Sequence, residues 1–207
     1  MQEKLAEVLE QAKVIPVLVI DDVEDALPLA EALVEGGLNV LEITLRTEAA
    51  LAAVERIAKQ LPDAHIGTGT VLSGEDVRRS EDAGASFMVS PGTTEQLLDA
   101  AESSDVPLLP GVANPSEVMR LLERGYRYQK FFPAQAAGGV PMLKSIGGPL
   151  AQVRFCPTGG VSPNNARDYL ALPNVICVGG SWMAAVNLVR EKRWAEITRL
   201  AKEAATL

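Results

Sequence analysis

The sequence predicts a (β/α)8 barrel, a closed parallel sheet surrounded by helices, with one additional helix before the first strand. Eight short runs rich in β-forming residues recur at intervals of roughly 20 to 26 residues, each followed by a turn and a stretch with helical periodicity. No Pro/Gly/Ser-rich linker interrupts the 207 residues, and this length is near the lower limit for the fold. One domain over residues 1–207 is therefore expected, and an open doubly wound sheet is the alternative.

The elements follow one another in strict alternation along the chain. The predicted strands are residues 14–20, 40–45, 65–70, 86–90, 107–110, 128–132, 153–157 and 175–178. The predicted helices are residues 23–35, 48–60, 74–83, 93–103, 115–123, 140–146, 163–170 and 192–205, with the additional helix at 2–11. Thr47 is expected to cap the second helix of this series, and Pro115 and Pro163 are expected at first helical positions.

Composition excludes several classes of protein. The formal net charge of −8 argues against nucleic acid or an anionic membrane as the main partner. The longest apolar run, residues 14–20, is far shorter than the ~20 residues needed to span a bilayer, so a cytoplasmic protein is expected. Cys156 and Cys177 lie in apolar, strand-like runs and are expected to be buried free thiols. His65 is the single histidine, so no zinc site is expected, and its place at a strand start indicates a structural role.

Lys130 is the candidate nucleophile. Of the seven lysines it is the one inside a predicted strand, where aromatic residues flank it. Burial there disfavours the ammonium and favours the neutral amine, which can attack a ketone. A lysine whose ammonium reaches solvent from the strand end is the alternative.

The second predicted strand carries two charged residues on one face. Residues 40, 42, 44 and 46 share this face because side chains alternate along a strand. Glu42 and Arg46 would therefore point into the barrel, where unpaired charges are costly. They either form a structural ion pair, or Arg46 binds a substrate carboxylate while Glu42 transfers protons.

Glycine pairs follow the seventh and eighth predicted strands, at residues 158–160 (TGG) and 179–181 (GGS). Barrel enzymes commonly bind phosphate at these two loops through backbone amides. One glycine pair is compatible with any tight turn, but both together predict an anion site. The third strand, 67–70 (GTGT), is not a dinucleotide fingerprint because Leu72 occupies the third glycine position.

Seven segments, in this order, make the chain resemble the 2-keto-3-deoxy-6-phosphogluconate aldolase family, which includes 4-hydroxy-2-oxoglutarate aldolases. The resemblance covers nearly the whole chain. The segments are 40–47 (VLEITLRT), 67–70 (GTGT), 90–92 (SPG), 110–111 (PG), 130–134 (KFFPA), 155–160 (FCPTGG) and 178–182 (VGGSW).

The resemblance implies a class I aldolase that uses no metal or other cofactor and acts on small 2-keto acids. The implied reaction converts 2-dehydro-3-deoxy-6-phospho-D-gluconate to pyruvate and D-glyceraldehyde 3-phosphate, in sugar-acid catabolism of the Entner–Doudoroff type. The same resemblance implies 4-hydroxy-2-oxoglutarate as a second substrate and a homotrimer as the assembly.

Residue roles follow from the same resemblance. Lys130 matches the Schiff-base lysine, Glu42 the general acid/base, and Arg46 and Thr70 the contacts to the pyruvyl part. The residues matched to the rest of the pocket are Pro91 and Phe132 in its wall and Thr158, Gly159, Gly160, Gly180 and Ser181 around the phosphate.

The chain departs from the family pattern at two places. Gln135 stands where family members usually carry a glutamate. Asp21 and Asp22 stand at the end of the first strand, where some members carry a basic residue. The second departure removes one possible phosphate partner.

Two other functions fit the same residues. A phosphosugar isomerase or epimerase would use Glu42 for proton transfer and Lys130 as an electrostatic aid. A noncatalytic metabolite-binding barrel would use Lys130 and Arg46 to hold an anion.

Overall fold

The structure, a computed structural model, describes residues 2–207 as an α/β fold with a curled parallel sheet. The strands are β1 Val14–Leu18, β2 Val40–Thr44, β3 His65–Gly69, β4 Phe87–Val89, β5 Leu108–Leu109, β6 Gly111–Val112, β7 Tyr128–Phe131, β8 Arg154–Pro157 and β9 Val178–Gly180. The helices are α1 Gln2–Glu10, α2 Val23–Glu35, α3 Ala50–Gln60, α4 Gly74–Asp82, α5 Glu95–Glu102, α6 Pro115–Glu123, α7 Gly139–Gly147, α8 Ala166–Leu170, α9 Val186–Arg190 and α10 Trp194–Ala205.

All strand pairs are parallel, and they form two groups. Six strands follow the order β5-β4-β3-β2-β1-β9, and three follow the order β6-β7-β8. Pro110 separates β5 from β6 because it has no backbone N–H to give to a ladder. Isolated bridges join Phe155 to Val175 and Thr158 to Gly179, where β8 approaches β9.

Apolar side chains pack in two clusters because strand residues alternate between the two faces of the sheet. The larger cluster lies between the sheet and its helices and includes Leu41 and Ile43 of β2. The smaller cluster joins Val40 to Phe87 and to side chains of α1, including Leu5. Helix α1 therefore packs on residues of the inner face of the sheet.

Both cysteines belong to this smaller cluster, and both are free and buried, as expected. A hydrogen bond between the two thiols, together with burial, raises the pKa of Cys177. The Cys177 thiol therefore stays protonated at neutral pH.

Local capping explains where several helices begin. Asn114 caps α6 by accepting a hydrogen bond from the Glu117 amide, and Pro115 occupies the first turn as predicted. The prediction for Thr47 is wrong. Ala49 occupies the N-cap of α3, and the Thr47 hydroxyl donates instead to the Ile20 carbonyl at 2.5 Å.

Two further elements have other boundaries than predicted, and two short elements were not predicted. Helix α8 begins at Ala166 rather than at Pro163. The last strand is Val178–Gly180 rather than residues 175–178, because Val175 makes only an isolated bridge. Helix α9 and the 3-10 turn Trp182–Ala184 were not predicted, since three to five residues are too short to show a helical period. None of the helices described between residues 2 and 207 combines the length and apolar character that crossing a membrane requires.

Candidate active site

The side chains of Lys130 and Glu42 are in contact in the interior enclosed by the curled sheet. Lys130 lies on β7, paired in register with Gly111 and Cys156, and Glu42 lies on β2. Their side chains approach from different strands, with 3.3 Å between Lys130 Nζ and Glu42 Oε1. Residue exposure is 5% for Lys130 and 3% for Glu42. The interpretation of Lys130 as a lysine that reaches solvent from the strand end is therefore wrong.

This contact changes the expectation for Glu42. The alternative of a Glu42–Arg46 ion pair is wrong, because the cation beside the carboxylate is Lys130. The contact places the Glu42 carboxylate beside the Lys130 amine as a partner for proton transfer.

The third strand makes room for Glu42. A β-carbon added at Gly69 would lie 2.2 Å from Glu42 Oε1, so this position accepts only glycine while the carboxylate stays in place. Thr70, the next residue, has φ of +61°. The left-handed region is costly for a β-branched residue, and such strain is typical of functional sites.

Arg46 lies in the turn directly after β2. Its backbone N–H donates to the Thr44 carbonyl at 2.8 Å, and its Nε donates to the Thr44 hydroxyl at 3.1 Å. Within residues 2–207 neither Nη atom of Arg46 has an acceptor in hydrogen-bond range. Both Nη groups of the guanidinium are thus available to a ligand.

A cavity of about 300 Å³ brings together most of the other predicted residues. We call it the rim cavity, since the loops after β8 and β9 form much of its wall. The predicted residues on its lining are Arg46, Phe132, Thr158, Gly159, Gly160, Gly180 and Ser181. The Phe132 ring centroid also lies 5.3 Å from Lys130 Nζ, so this ring connects the cavity to the lysine.

Thr70 and Pro91 are not part of that lining. Pro91 follows β4 and packs against Gly111, where an added β-carbon would lie 2.3 Å from the Pro91 carbonyl carbon. Gly111 is the register partner of Lys130. Pro91 therefore lies beside the lysine strand and not at the rim.

The loop after β8 depends on its glycines. Gly159 and Gly160 have φ of +97° and +78°, conformations that residues with side chains rarely adopt. The Gln135 amide donates to the Gly159 carbonyl at 3.0 Å, and the Tyr169 hydroxyl donates to Gln135 Oε1 at 2.9 Å. Gln135, at one departure from the family pattern, thus ties this loop to α8.

The other departure has a structural explanation. Asp22 caps α2 by accepting from the Glu24 amide, and Asp21 pairs with Arg190 of α9 at 2.9 Å. Both carboxylates hold the chain around the first βα turn.

Sequence reasoning missed the apolar lining of the rim cavity. Val17, Val19, Val161, Ala184, Ala185 and Val186 contribute to it. Ile15, Val17 and Val19 alternate along the first strand, so the two-residue period placed them on one face. Nothing in the sequence distinguishes a valine that lines a cavity from one that fills a core.

Taken together, the site offers a buried amine next to a carboxylate, a guanidinium with both Nη groups available, and a rim rich in glycine. This set can form an imine with a keto acid, move a proton near the imine carbon and hold anions at both ends of the ligand. Within the described chain, no three His, Cys, Asp or Glu side chains are close enough to hold a metal ion.

Comparison with known proteins gives consistent results. The sequence model of the KDPG and KHG aldolase family matches residues 5–200. The 2-dehydro-3-deoxy-phosphogluconate aldolase of Pseudoalteromonas atlantica is 52% identical over 198 residues, which cover 96% of this chain and 92% of that protein.

Two crystal structures are closely similar. One is KDPG aldolase from Legionella pneumophila with pyruvate captured at low pH as a covalent carbinolamine intermediate. It has a TM-score of 0.95 and 50% identity and covers 97% of both chains. The other is the 2-keto-3-deoxy-6-phosphogluconate aldolase of Zymomonas mobilis with 3-phosphoglycerate. It has a TM-score of 0.93 and 49% identity and covers 99% of this chain and 96% of that one.

Proposed function

Because the chain belongs to the KDPG and KHG aldolase family and is therefore a lyase, we propose that it is a class I aldolase using Lys130. Its substrate is 2-dehydro-3-deoxy-6-phospho-D-gluconate, which it cleaves to pyruvate and D-glyceraldehyde 3-phosphate. The observation that carries this proposal is the buried Lys130 amine 3.3 Å from the Glu42 carboxylate.

The reaction begins at the ketone. Lys130 Nζ attacks C2 of the substrate, and the resulting carbinolamine loses water to give an iminium. Glu42 accepts the proton of the C4 hydroxyl. The electrons of the C3–C4 bond then move into the iminium, which becomes an enamine as the aldehyde leaves. Protonation of the enamine at C3 and addition of water release pyruvate and restore the amine.

The two anionic ends of the substrate require different partners. Arg46 binds the carboxylate next to the reacting ketone with its two Nη donors, and Thr70 contacts the same pyruvyl part. The glycine amides and the Ser181 hydroxyl at the rim cavity bind the phosphate, with Thr158, Phe132 and Pro91 shaping the space between. The pyruvate and 3-phosphoglycerate held by the two relatives support this division. The family description also supports 4-hydroxy-2-oxoglutarate as a second substrate.

The proposal extends to architecture and assembly. Residues 1–207 form one domain whose curled sheet closes as an eight-stranded barrel, with β5 and β6 as one interrupted strand. Two observations support closure of the barrel: the Thr158–Gly179 bridge, and the packing of α1 in the smaller apolar cluster. Three copies assemble as a homotrimer in the cytoplasm. The exposed side chains of Leu72 (58%) and Met119 (52%) support a subunit contact, and the two buried free thiols fit a reducing compartment.

The test is reduction of the covalent intermediate. Pyruvate and sodium borohydride should add one reduced pyruvyl group to the peptide that contains Lys130. The Lys130→Met variant should lose both the adduct and substrate cleavage. Lys144→Met is the matched control, because Lys144 is an exposed lysine on α7, and it should keep both.

Two outcomes would overturn the proposal. Aldolase activity that survives borohydride and pyruvate with Lys130 unmodified would exclude the Schiff base at this residue. Pyruvate binding without deuterium exchange at its methyl group would indicate a binding protein.

A further inference from the structure

Thr44 is the last residue of β2, the strand that carries Glu42, and its buried side chain contacts the neighbouring strand β1. Its residue exposure is 3%. Its hydroxyl donates to the Leu18 carbonyl of β1 at 2.8 Å and accepts from Arg46 Nε at 3.1 Å. A hydroxyl has one hydrogen to donate. Because Leu18 takes that hydrogen, Thr44 can present only lone pairs to Arg46, which is what a guanidinium requires.

Arg46 needs such a partner because two environments are open to it. Arg46 lines the rim cavity and also a second cavity, which Glu48, Asp76 and Arg79 line as well. The two carboxylates in the second cavity would attract a freely rotating guanidinium. Arginine side chains have many rotamers, so an unanchored Arg46 would sample both cavities.

We propose that Thr44 is a positioning residue that holds Arg46 for the substrate carboxylate. The inference rests on the proposed function of Arg46. With Nε fixed to Thr44, the guanidinium presents Nη1 and Nη2 together and binds the carboxylate end-on. Fixing the side chain before the ligand arrives reduces the entropy lost on binding. Thr44 itself does not touch the substrate.

The test compares three variants by the pyruvate concentration that gives half-maximal trapping with borohydride. Thr44→Val keeps the shape of the side chain and removes the hydroxyl. It should raise this concentration about tenfold, equivalent to about 1.4 kcal/mol. Thr44→Ser keeps the hydroxyl, so its half-maximal pyruvate concentration should equal that of the unchanged protein. Thr68→Val is the matched control, because the buried Thr68 hydroxyl donates to the Ser80 hydroxyl at 2.8 Å and makes no hydrogen bond with Arg46.

Two further measurements separate positioning from general loosening of the fold. Trapping of pyruvamide, which has no carboxylate, should be unchanged by Thr44→Val. In an Arg46→Ala background, Thr44→Val should add no further loss of pyruvate affinity, because its effect passes through the arginine. If Thr44→Val does not fold, Thr44→Ala tests the same point without a second methyl group near the Leu18 carbonyl.

The outcomes distinguish this inference from the function on which it rests. If Arg46→Ala weakens pyruvate binding but Thr44→Val does not, positioning by Thr44 is refuted and the role of Arg46 stands. If Arg46→Ala leaves pyruvate binding unchanged, the role of Arg46 is refuted and the inference fails with it. An equal loss for pyruvate and pyruvamide would also overturn the inference.

Discussion

Replacing Gly69 with alanine would displace the Glu42 carboxylate without removing any proposed catalytic group. The new β-carbon would lie 2.2 Å from Glu42 Oε1 and 2.8 Å from its Cδ. An ordinary carbon–oxygen contact is about 3.3 Å or longer, so the carboxylate must move by about 1 Å. Glu42 would then leave hydrogen-bond reach of Lys130 Nζ, from which it now lies 3.3 Å.

The expected effect follows from that displacement. A catalytic group misplaced by about 1 Å costs on the order of 100-fold in rate, so kcat should fall by roughly that factor. Overpacking should also cost about 2 kcal/mol, which corresponds to a Tm lower by about 4 to 8 °C in a chain of this size. Steady-state cleavage assays and thermal unfolding measure the two effects separately.

The control and the refutation are both specific. Gly148→Ala adds the same methyl group where the nearest atom is 3.8 Å away, and it should leave kcat and Tm almost unchanged. Lys130 in Gly69→Ala should still form the borohydride adduct, more slowly. A folded Gly69→Ala protein whose kcat equals that of the unchanged enzyme would show that the position of Glu42 does not limit the reaction.

Two other predictions concern tyrosines. Burial, aided by Glu102, raises the pKa of Tyr126 to about 12 from its ordinary value of 10.0. The unfolded chain therefore loses this proton first, and stability should fall as pH rises from about 10 to about 12. Denaturant titrations over this pH range should show a smaller loss of stability for Tyr126→Phe than for the unchanged protein. Equal losses in the two proteins would contradict the raised pKa of Tyr126. Tyr169→Phe removes the hydrogen bond to Gln135. We expect a higher KM for the phosphorylated substrate with unchanged pyruvate trapping, and an equal effect on both would disprove a role confined to the phosphate loop.

The face of the second strand could be predicted from sequence because the strand period is local. Val40, Glu42 and Thr44 alternate with apolar neighbours, and the structure places all three side chains inward or between strands. The partner of Glu42 could not be predicted in this way. Lys130 lies 88 residues further along the chain, and only strand pairing across the sheet determines which charge comes opposite.

Short elements were predicted less well for a related reason. Helix α9 has five residues, and its position depends on contacts made by other parts of the chain, such as the Asp21–Arg190 ion pair. The strand break at Pro110 illustrates the same limit. The sequence indicated a strand there, but whether proline ends it or merely interrupts it depends on the neighbouring strands.

The proposed roles separate covalent chemistry, at Lys130 and Glu42, from recognition of the phosphorylated end of the substrate, at the rim cavity. Lys130 and Glu42 lie on strands whose registers are fixed by backbone hydrogen bonds on both sides. At the rim, by contrast, Ser181 and Gln135 are exposed. Substitutions at the rim can therefore alter which keto acid is preferred while the imine chemistry persists. The two departures from the family pattern, at Gln135 and at Asp21 with Asp22, lie outside the Lys130–Glu42 contact. For this reason they should affect substrate preference before they affect the rate of bond cleavage.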